Sequence, residues 1–115
     1  MKARLPKGMG GGPQNMNAMI RQAQKMQEDM KTRQEEIEQM SFKTTSGGGM
    51  VEVEISGKKE VKSILLKPEV VDPEDIEMLQ DLIVAAVNEA IRTVEEYSAA
   101  EMDKITGSLN IPGVF

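Results

Sequence analysis

Hydrophobic side chains in the first third of the chain recur at alternating intervals of three and four residues. Seven of the eight positions in this series are apolar, and five of the seven are methionine. This heptad spacing predicts an amphipathic helix of about 25 residues, roughly 37 Å long, with an adaptable apolar seam. The seam consists of Met16, Met19, Ala23, Met26, Met30, Ile37 and Met40, and Arg33 is its one polar member.

The middle of the chain changes to a period of two, which predicts strands. Residues 41–45 form a short β-branched segment that is ended by Ser46 and three glycines. Residues 50–56 then alternate strictly, with Val51, Val53 and Ile55 on one face.

Residues 57–59 have the composition of a three-residue hairpin loop, so the next strand pairs back on the previous one. This turn predicts that Ile55 lies opposite Val61, Val53 opposite Ser63, and Val51 opposite Leu65. On the reverse face Glu54 meets Lys62, and Met50, Ile64 and Leu66 also lie there, so part of that face needs covering.

A second long helix is predicted after residue 71. Asp72 is the expected N-cap and Pro73 the first helical residue, and the helix runs to about Lys104. A helix of about 30 residues is about 45 Å long, whereas a seven-residue strand spans about 23 Å. Half of this helix must therefore extend beyond the sheet.

The predicted fold class is α+β, in the order α-β-β-β-α, with a three-stranded antiparallel meander and two long helices. Residues 1–12 are expected to be a flexible basic Gly-rich tail, residues 13–106 a single domain, and residues 107–115 a flexible C-terminal tail. A lone subunit would leave much apolar surface in water, which favours a twofold homodimer. The alternative is a monomer whose helices pack across one sheet face. The dimer and core seam is assigned to Met19, Ala23, Met26, Met30, Ile64 and Leu66.

Charge is unevenly distributed along the 115 residues. The net charge is −5, yet the first 27 residues hold five cations and no acid. Elsewhere acids stand within helical or cross-strand reach of the cations, as Asp29 does for Arg33 and Glu35 for Lys31. An alternative is that Lys25 turns to Asp29 and that the other cations only decorate a tail. The five cations are Lys2, Arg4, Lys7, Arg21 and Lys25.

Composition excludes several classes of function. The chain has no cysteine and no histidine, which removes thiol chemistry and the common zinc sites. Glu52 and Glu54 share a strand face but face a cross-strand lysine, so they are expected to be solvated rather than catalytic. No apolar run is long enough for a membrane span or a secretory signal. We expect a cytoplasmic, non-enzymatic protein without a cofactor, a metal or a small-molecule substrate.

The cation-rich first segment favours binding to nucleic acid. Aromatic residues are only 3% of the chain, which disfavours base stacking on single strands. Duplex DNA bound through its phosphates fits better, with affinity but little base discrimination. The alternative is a protein-interaction scaffold in which the Met-rich helix captures a partner helix.

Four segments together resemble the YbaB/EbfC family of bacterial nucleoid-associated proteins. They are residues 19–27 (MIRQAQKMQ), residues 46–51 (SGGGMV), LQDLI at 79–83 followed by AVNEA at 86–90, and IPG at 111–113. The resemblance implies a tweezer-shaped homodimer that binds duplex DNA, alters its conformation and resides on the nucleoid.

The resemblance assigns DNA contact to Arg21 and Lys25 on the first helix, and to Arg92 and Lys104 on the last. Acidic neighbours of the last two (Glu95, Glu96 and Glu101) weaken that part of the assignment. The N-terminal tail is longer and more basic than the family pattern, so the roles of Lys2, Arg4 and Lys7 rest on charge alone.

Overall fold

A computed structural model describes residues 12–107. Two long helices flank a three-stranded antiparallel sheet with strand order β1-β2-β3, which confirms the predicted α-β-β-β-α order. Most of the two predicted tails lies outside the described residues, and Gly12 and Gly107 are the terminal residues of the two helices. The elements are α1 (Gly12–Glu38), β1 (Ser41–Ser46), β2 (Val51–Ser56), β3 (Val61–Leu66) and α2 (Ile76–Gly107).

Strand β2 forms the centre of the hydrophobic core. Val51, Val53 and Ile55 are fully buried, as the alternation predicts, and α2 packs over β1 and β2. The helix presents Ala86 and Ala90 to the core, and both are also fully buried. Small side chains at these positions let the helix lie close to the branched side chains of the strand.

The pairing of β2 with β3 differs from the prediction beyond its first pair. Ile55 lies opposite Val61 as expected, but a register shift between Glu54 and Ile55 changes every later pair. Ser63 pairs with Glu54, so Val53 lies opposite Ile64 rather than Ser63, and Val51 lies opposite Leu66 rather than Leu65. The extra residue is accommodated as a β-bulge, which the turn length alone did not indicate.

The bulge also corrects the assignment of side chains to the two sheet faces. Ile64 and Leu66 share the face of Val53 and Val51, and Leu65 lies on the reverse face. Every residue of β3 is nevertheless exposed, because α2 covers the other two strands. The predicted contact of Lys62 with Glu54 is confirmed, at 3.7 Å.

The start of α2 lies later than predicted. The Asp72 carboxylate accepts a hydrogen bond from the Glu74 amide in a turn before the helix, at 2.9 Å. Asp75 instead caps the helix, accepting a hydrogen bond from the Met78 amide at 3.2 Å. Asp72 and Pro73 therefore initiate a turn rather than the helix itself.

Helix α1 packs against the second half of α2 in antiparallel orientation. Arg33 donates to Glu101 Oε1 at 2.9 Å and to the Tyr97 hydroxyl at 2.6 Å. Ser98 donates to Gln34 Oε1 at 3.2 Å. Arg33, the polar residue within the methionine seam, thus connects the two helices. The predicted pairing of Arg33 with Asp29 is wrong.

These contacts fix how far each helix extends. Gly107 lies six residues beyond Glu101, so in antiparallel register it is at about the level of Gln27, six residues before Arg33. The first helix continues for about 15 more residues, or roughly 22 Å, past the end of α2. In this projecting part of α1, residues 12–26, the described side chains from 15 to 25 are all exposed, and Met26, beside the end of α2, is half-buried.

Gly57 anchors the base of α1 to the β2-β3 hairpin. Its amide donates to the carbonyl of Met40 at 3.1 Å, and the residue is buried. A Cβ placed at this position would lie 1.8 Å from the carbonyl oxygen of Ile37. Only glycine therefore allows the end of the helix to rest on the hairpin.

Candidate nucleic-acid interface

The projecting part of α1 carries cations without acids. From residue 12 to Gln27 the helix contains Arg21 and Lys25 and no Asp or Glu. Both cations are exposed and stand one turn apart on the same face. At about 100° per residue, Arg21 lies roughly opposite Met19 and Ala23, so the cationic face and the apolar seam point to different sides.

Lys25 forms an ion pair with Asp29, with Nζ 3.1 Å from Oδ2, which confirms the alternative considered for this residue. The two side chains are 73% and 49% exposed, and an exposed pair at this spacing stabilises a helix by only about 0.3–0.5 kcal/mol. Lys25 can therefore exchange Asp29 for another anion at little cost. Within residues 12–107, no ion pair involves Arg21.

Arg92 and Lys104 on α2 are already committed to acids. Arg92 is hydrogen-bonded to Glu89, which raises its pKa. Lys104 donates to Glu101 at 2.7 Å, which raises the pKa of the lysine and lowers that of the carboxylate. The second donor to that carboxylate is Arg33, which also lowers the carboxylate pKa.

The structure does not bring the predicted cations into one patch. Arg92 and Arg21 lie on opposite sides of the Arg33–Glu101 contact, separated by roughly 30 Å along the helices of one subunit. Lys2, Arg4 and Lys7 lie outside the described residues. Two of the predicted cations, Arg21 and Lys25, do lie side by side, on the projecting part of α1.

Three exposed lysines were not among the predicted DNA contacts. Lys31 was expected to pair with Glu35, but no such ion pair forms in the part of the chain that the structure describes. Lys58, in the β2-β3 turn, and Lys67, after β3, are also exposed and take part in none of the ion pairs there. Placement in turns is the signal by which the last two could have been noticed.

Two features of the described residues bear on metal and small-molecule binding. From residue 12 to 107, no cluster of three or more acidic, histidine or cysteine side chains could hold a metal ion. A cleft of about 320 Å³ beside the start of α2 is lined by Gly47, Met50, Val70, Met78 and Leu82, with Glu69 as its one charged residue. In the same range, neither helix combines the length and hydropathy that crossing a bilayer requires.

Comparison with known proteins agrees with this architecture. The family model described as the YbaB/EbfC DNA-binding family matches residues 11–109. A nucleoid-associated protein of Alkaliphilus metalliredigens is 60% identical over 108 residues, covering 94% of each chain. One from Clostridium acetobutylicum is 58% identical over 107 residues, covering 93% of this chain and 94% of the relative.

The fold is also similar to a solved structure. The crystal structure of an uncharacterized protein from Helicobacter pylori matches with a TM-score of 0.57 and 26% identity, covering 68% of this chain and 90% of the other. The family model and the sequence relatives indicate the same family, and each covers most of the chain. The chain belongs to the YbaB/EbfC DNA-binding family of nucleoid-associated proteins.

Proposed function

We propose that the protein binds duplex DNA as a homodimer, through phosphate contacts with little sequence discrimination, and alters the conformation of the DNA on the nucleoid. The observation that carries this proposal is the acid-free, cationic end of α1, which projects past the rest of the subunit. Membership of a DNA-binding family supports the choice of DNA as the anion.

Phosphate contact fits the chemistry of the projecting helix. Arg21 offers a planar guanidinium free of acidic partners among residues 12–107, and Lys25 gains more from a phosphate than it loses by leaving Asp29. Exposed amides at Asn17 and Gln24 add neutral donors on the same part of the helix. These groups contact the DNA backbone rather than reading bases, which gives affinity without sequence preference.

A second copy of the chain is the proposed partner for β3. Among the described strands this edge strand pairs only with β2, and it exposes apolar side chains on both faces, including Leu65 at 60% and Val61 at 44%. An exposed apolar edge favours association, and identical edges can pair about a twofold axis. The dimer presents two projecting helices, so one DNA molecule can contact two cationic helix ends. We propose that these two contacts together change the path of the DNA.

A salt titration of DNA affinity tests the phosphate contacts. For the wild type, the logarithm of affinity should fall linearly with the logarithm of salt concentration, by about 0.9 for each phosphate contact. The double variant Arg21→Ala, Lys25→Ala should bind more weakly and with a shallower slope, because a dimer loses up to four contacts. The matched control is Lys58→Ala, Lys67→Ala, which removes the same charge from exposed positions elsewhere.

Equal affinities and slopes for the two double variants would refute the assignment of the contacts to α1. If removal of residues 1–11 abolished binding while the α1 variant bound normally, the contacts would belong to Lys2, Arg4 and Lys7 instead. Retention of a defined protein partner without DNA would favour the partner-helix alternative.

Light scattering tests the dimer separately. The wild type should have the mass of two chains, and Leu65→Ser should shift the mass towards one chain, because it removes an exposed apolar side chain from β3. The control is Lys58→Ser in the adjoining turn, which should remain dimeric. A single-chain mass for the wild type would overturn the proposed assembly.

A further inference from the structure

The apolar seam of α1 is covered along only half of its length. Ile37 is fully buried and Met30 and Met26 are half-buried, whereas Met19 and Met16 are 62% and 60% exposed. The change follows from the packing, because α2 ends at Gly107, level with Gln27. The same stripe of side chains continues beyond that point without a described element opposite it.

The sequence that follows α2 has the composition to extend this interface. Residues 108–115 read SLNIPGVF and carry no charged side chain. Four of the eight are apolar: Leu109, Ile111, Val114 and Phe115. Pro112 and Gly113 disfavour continuation of the helix, so this segment is suited to an extended path.

The reach of this segment matches the bare seam of its own subunit. From the level of Gly107 to Met16 is about 11 helical residues, or roughly 16 Å, whereas eight extended residues span about 26 Å. The apolar cleft beside Leu82 is 25 residues back along α2, or about 37 Å, which is out of reach within one subunit.

We propose that residues 108–115 dock in the same subunit on the exposed part of the seam, formed by Met16, Met19 and Ala23, and so extend the α1–α2 interface to the end of the projecting helix. The segment leaves α2 beside the seam, which gives it a high effective concentration there relative to a second copy. Flexible methionine side chains adapt to such an irregular apolar partner. The docked segment lies away from Arg21, so the proposal does not depend on DNA binding.

Disulfide trapping tests the contact directly, because the chain contains no cysteine. Met19→Cys combined with Val114→Cys should close a disulfide within one chain upon mild oxidation, seen as a faster-migrating monomer on a non-reducing gel. The control pair is Asn17→Cys with Val114→Cys. Asn17 is at the same height but about 200° around the helix, so its closure should be at least tenfold slower.

Equal closure rates for the two pairs would overturn the proposal. Predominant chain-to-chain disulfides in the Met19 pair would also overturn it, because a second copy would then cover the seam.

Hydrogen exchange provides a readout without cysteines. Replacement of both Ile111 and Val114 by Ser should raise amide exchange in residues 15–27 several-fold, because the covering side chains are lost, and should leave β2 unchanged. Ser108→Ala with Asn110→Ser is the matched control and should exchange like the wild type. Unchanged exchange in the Ile111 and Val114 variant would refute docking.

Discussion

Replacement of Gly57 by Ala tests whether the base of α1 rests directly on the hairpin. The added Cβ would lie 1.8 Å from the carbonyl oxygen of Ile37 and 2.5 Å from its carbonyl carbon. Ordinary contacts begin at 3.4 Å, so the helix end and the hairpin must separate by about 1.6 Å. The Glu38 Cα lies at 2.9 Å, so all three atoms closer than 3.0 Å belong to the backbone and no side-chain rotation relieves the clash.

The expected loss of stability is about 3 kcal/mol. Overpacking of a tight site costs about 1–3 kcal/mol, and stretching the hydrogen bond from the Gly57 amide to the Met40 carbonyl adds about 1 kcal/mol. In urea, with a slope of about 1.5–2 kcal/mol per molar, the midpoint should fall by about 1.5–2 M. Protein concentration must be held constant, since association contributes to the measured stability.

Gly107→Ala is the matched control for this measurement. No atom lies within 4 Å of a Cβ built there, and the residue ends a helix, so the free energy of unfolding should rise slightly or stay within about 0.5 kcal/mol. A midpoint for Gly57→Ala within about 0.3 M of the wild type would refute the reasoning, because the helix end would then not be seated against the hairpin.

Three further substitutions test the packing around the sheet and the helix junction. Hydrogen bonding from Lys104 lowers the pKa of Glu101 in the folded state. The unfolded state therefore binds more protons, and stability falls as the pH drops through and below about 4. Glu101→Gln should reduce this loss of stability, measured by urea titrations between pH 6 and 3. Ile55→Ala removes a fully buried side chain and should cost about 2–5 kcal/mol by chemical denaturation. Ser46→Ala removes the 2.7 Å hydrogen bond to the Leu82 carbonyl and should cost about 1 kcal/mol, measured as a thermal shift of a few degrees.

The sequence was sufficient to predict the elements and their order, because periodicity is a local property. The alternation through Val51, Val53 and Ile55 identified the core strand, and the heptad stripe identified α1. The β-bulge was not predictable, because it depends on how β3 fits its neighbour rather than on turn length. The position of the cap at Asp75 instead of Asp72 also required the three-dimensional path between sheet and helix.

The candidate interface was predictable only to the extent that it depends on charged residues close together in the sequence. The absence of acids before Glu28 singled out Arg21 and Lys25, and the structure adds that both stand on a helix end beyond the reach of α2. Arg33 lies in the same heptad pattern, but its partner Glu101 is 68 positions away, and a local pattern cannot identify such a contact. The same limit applies to Gly57, which reads as an ordinary turn glycine until Ile37 is placed above it.

The junction of the two helices contains a natural optical probe. The chain has one tyrosine and no tryptophan, and Tyr97 sits where Phe42 of β1 and Arg33 of α1 meet α2. Its ring centroid is 5.4 Å from that of Phe42, and the guanidinium carbon is 5.8 Å from the same ring. Tyrosine emission therefore reports on this junction, so loss of its packing can be followed without attaching a dye.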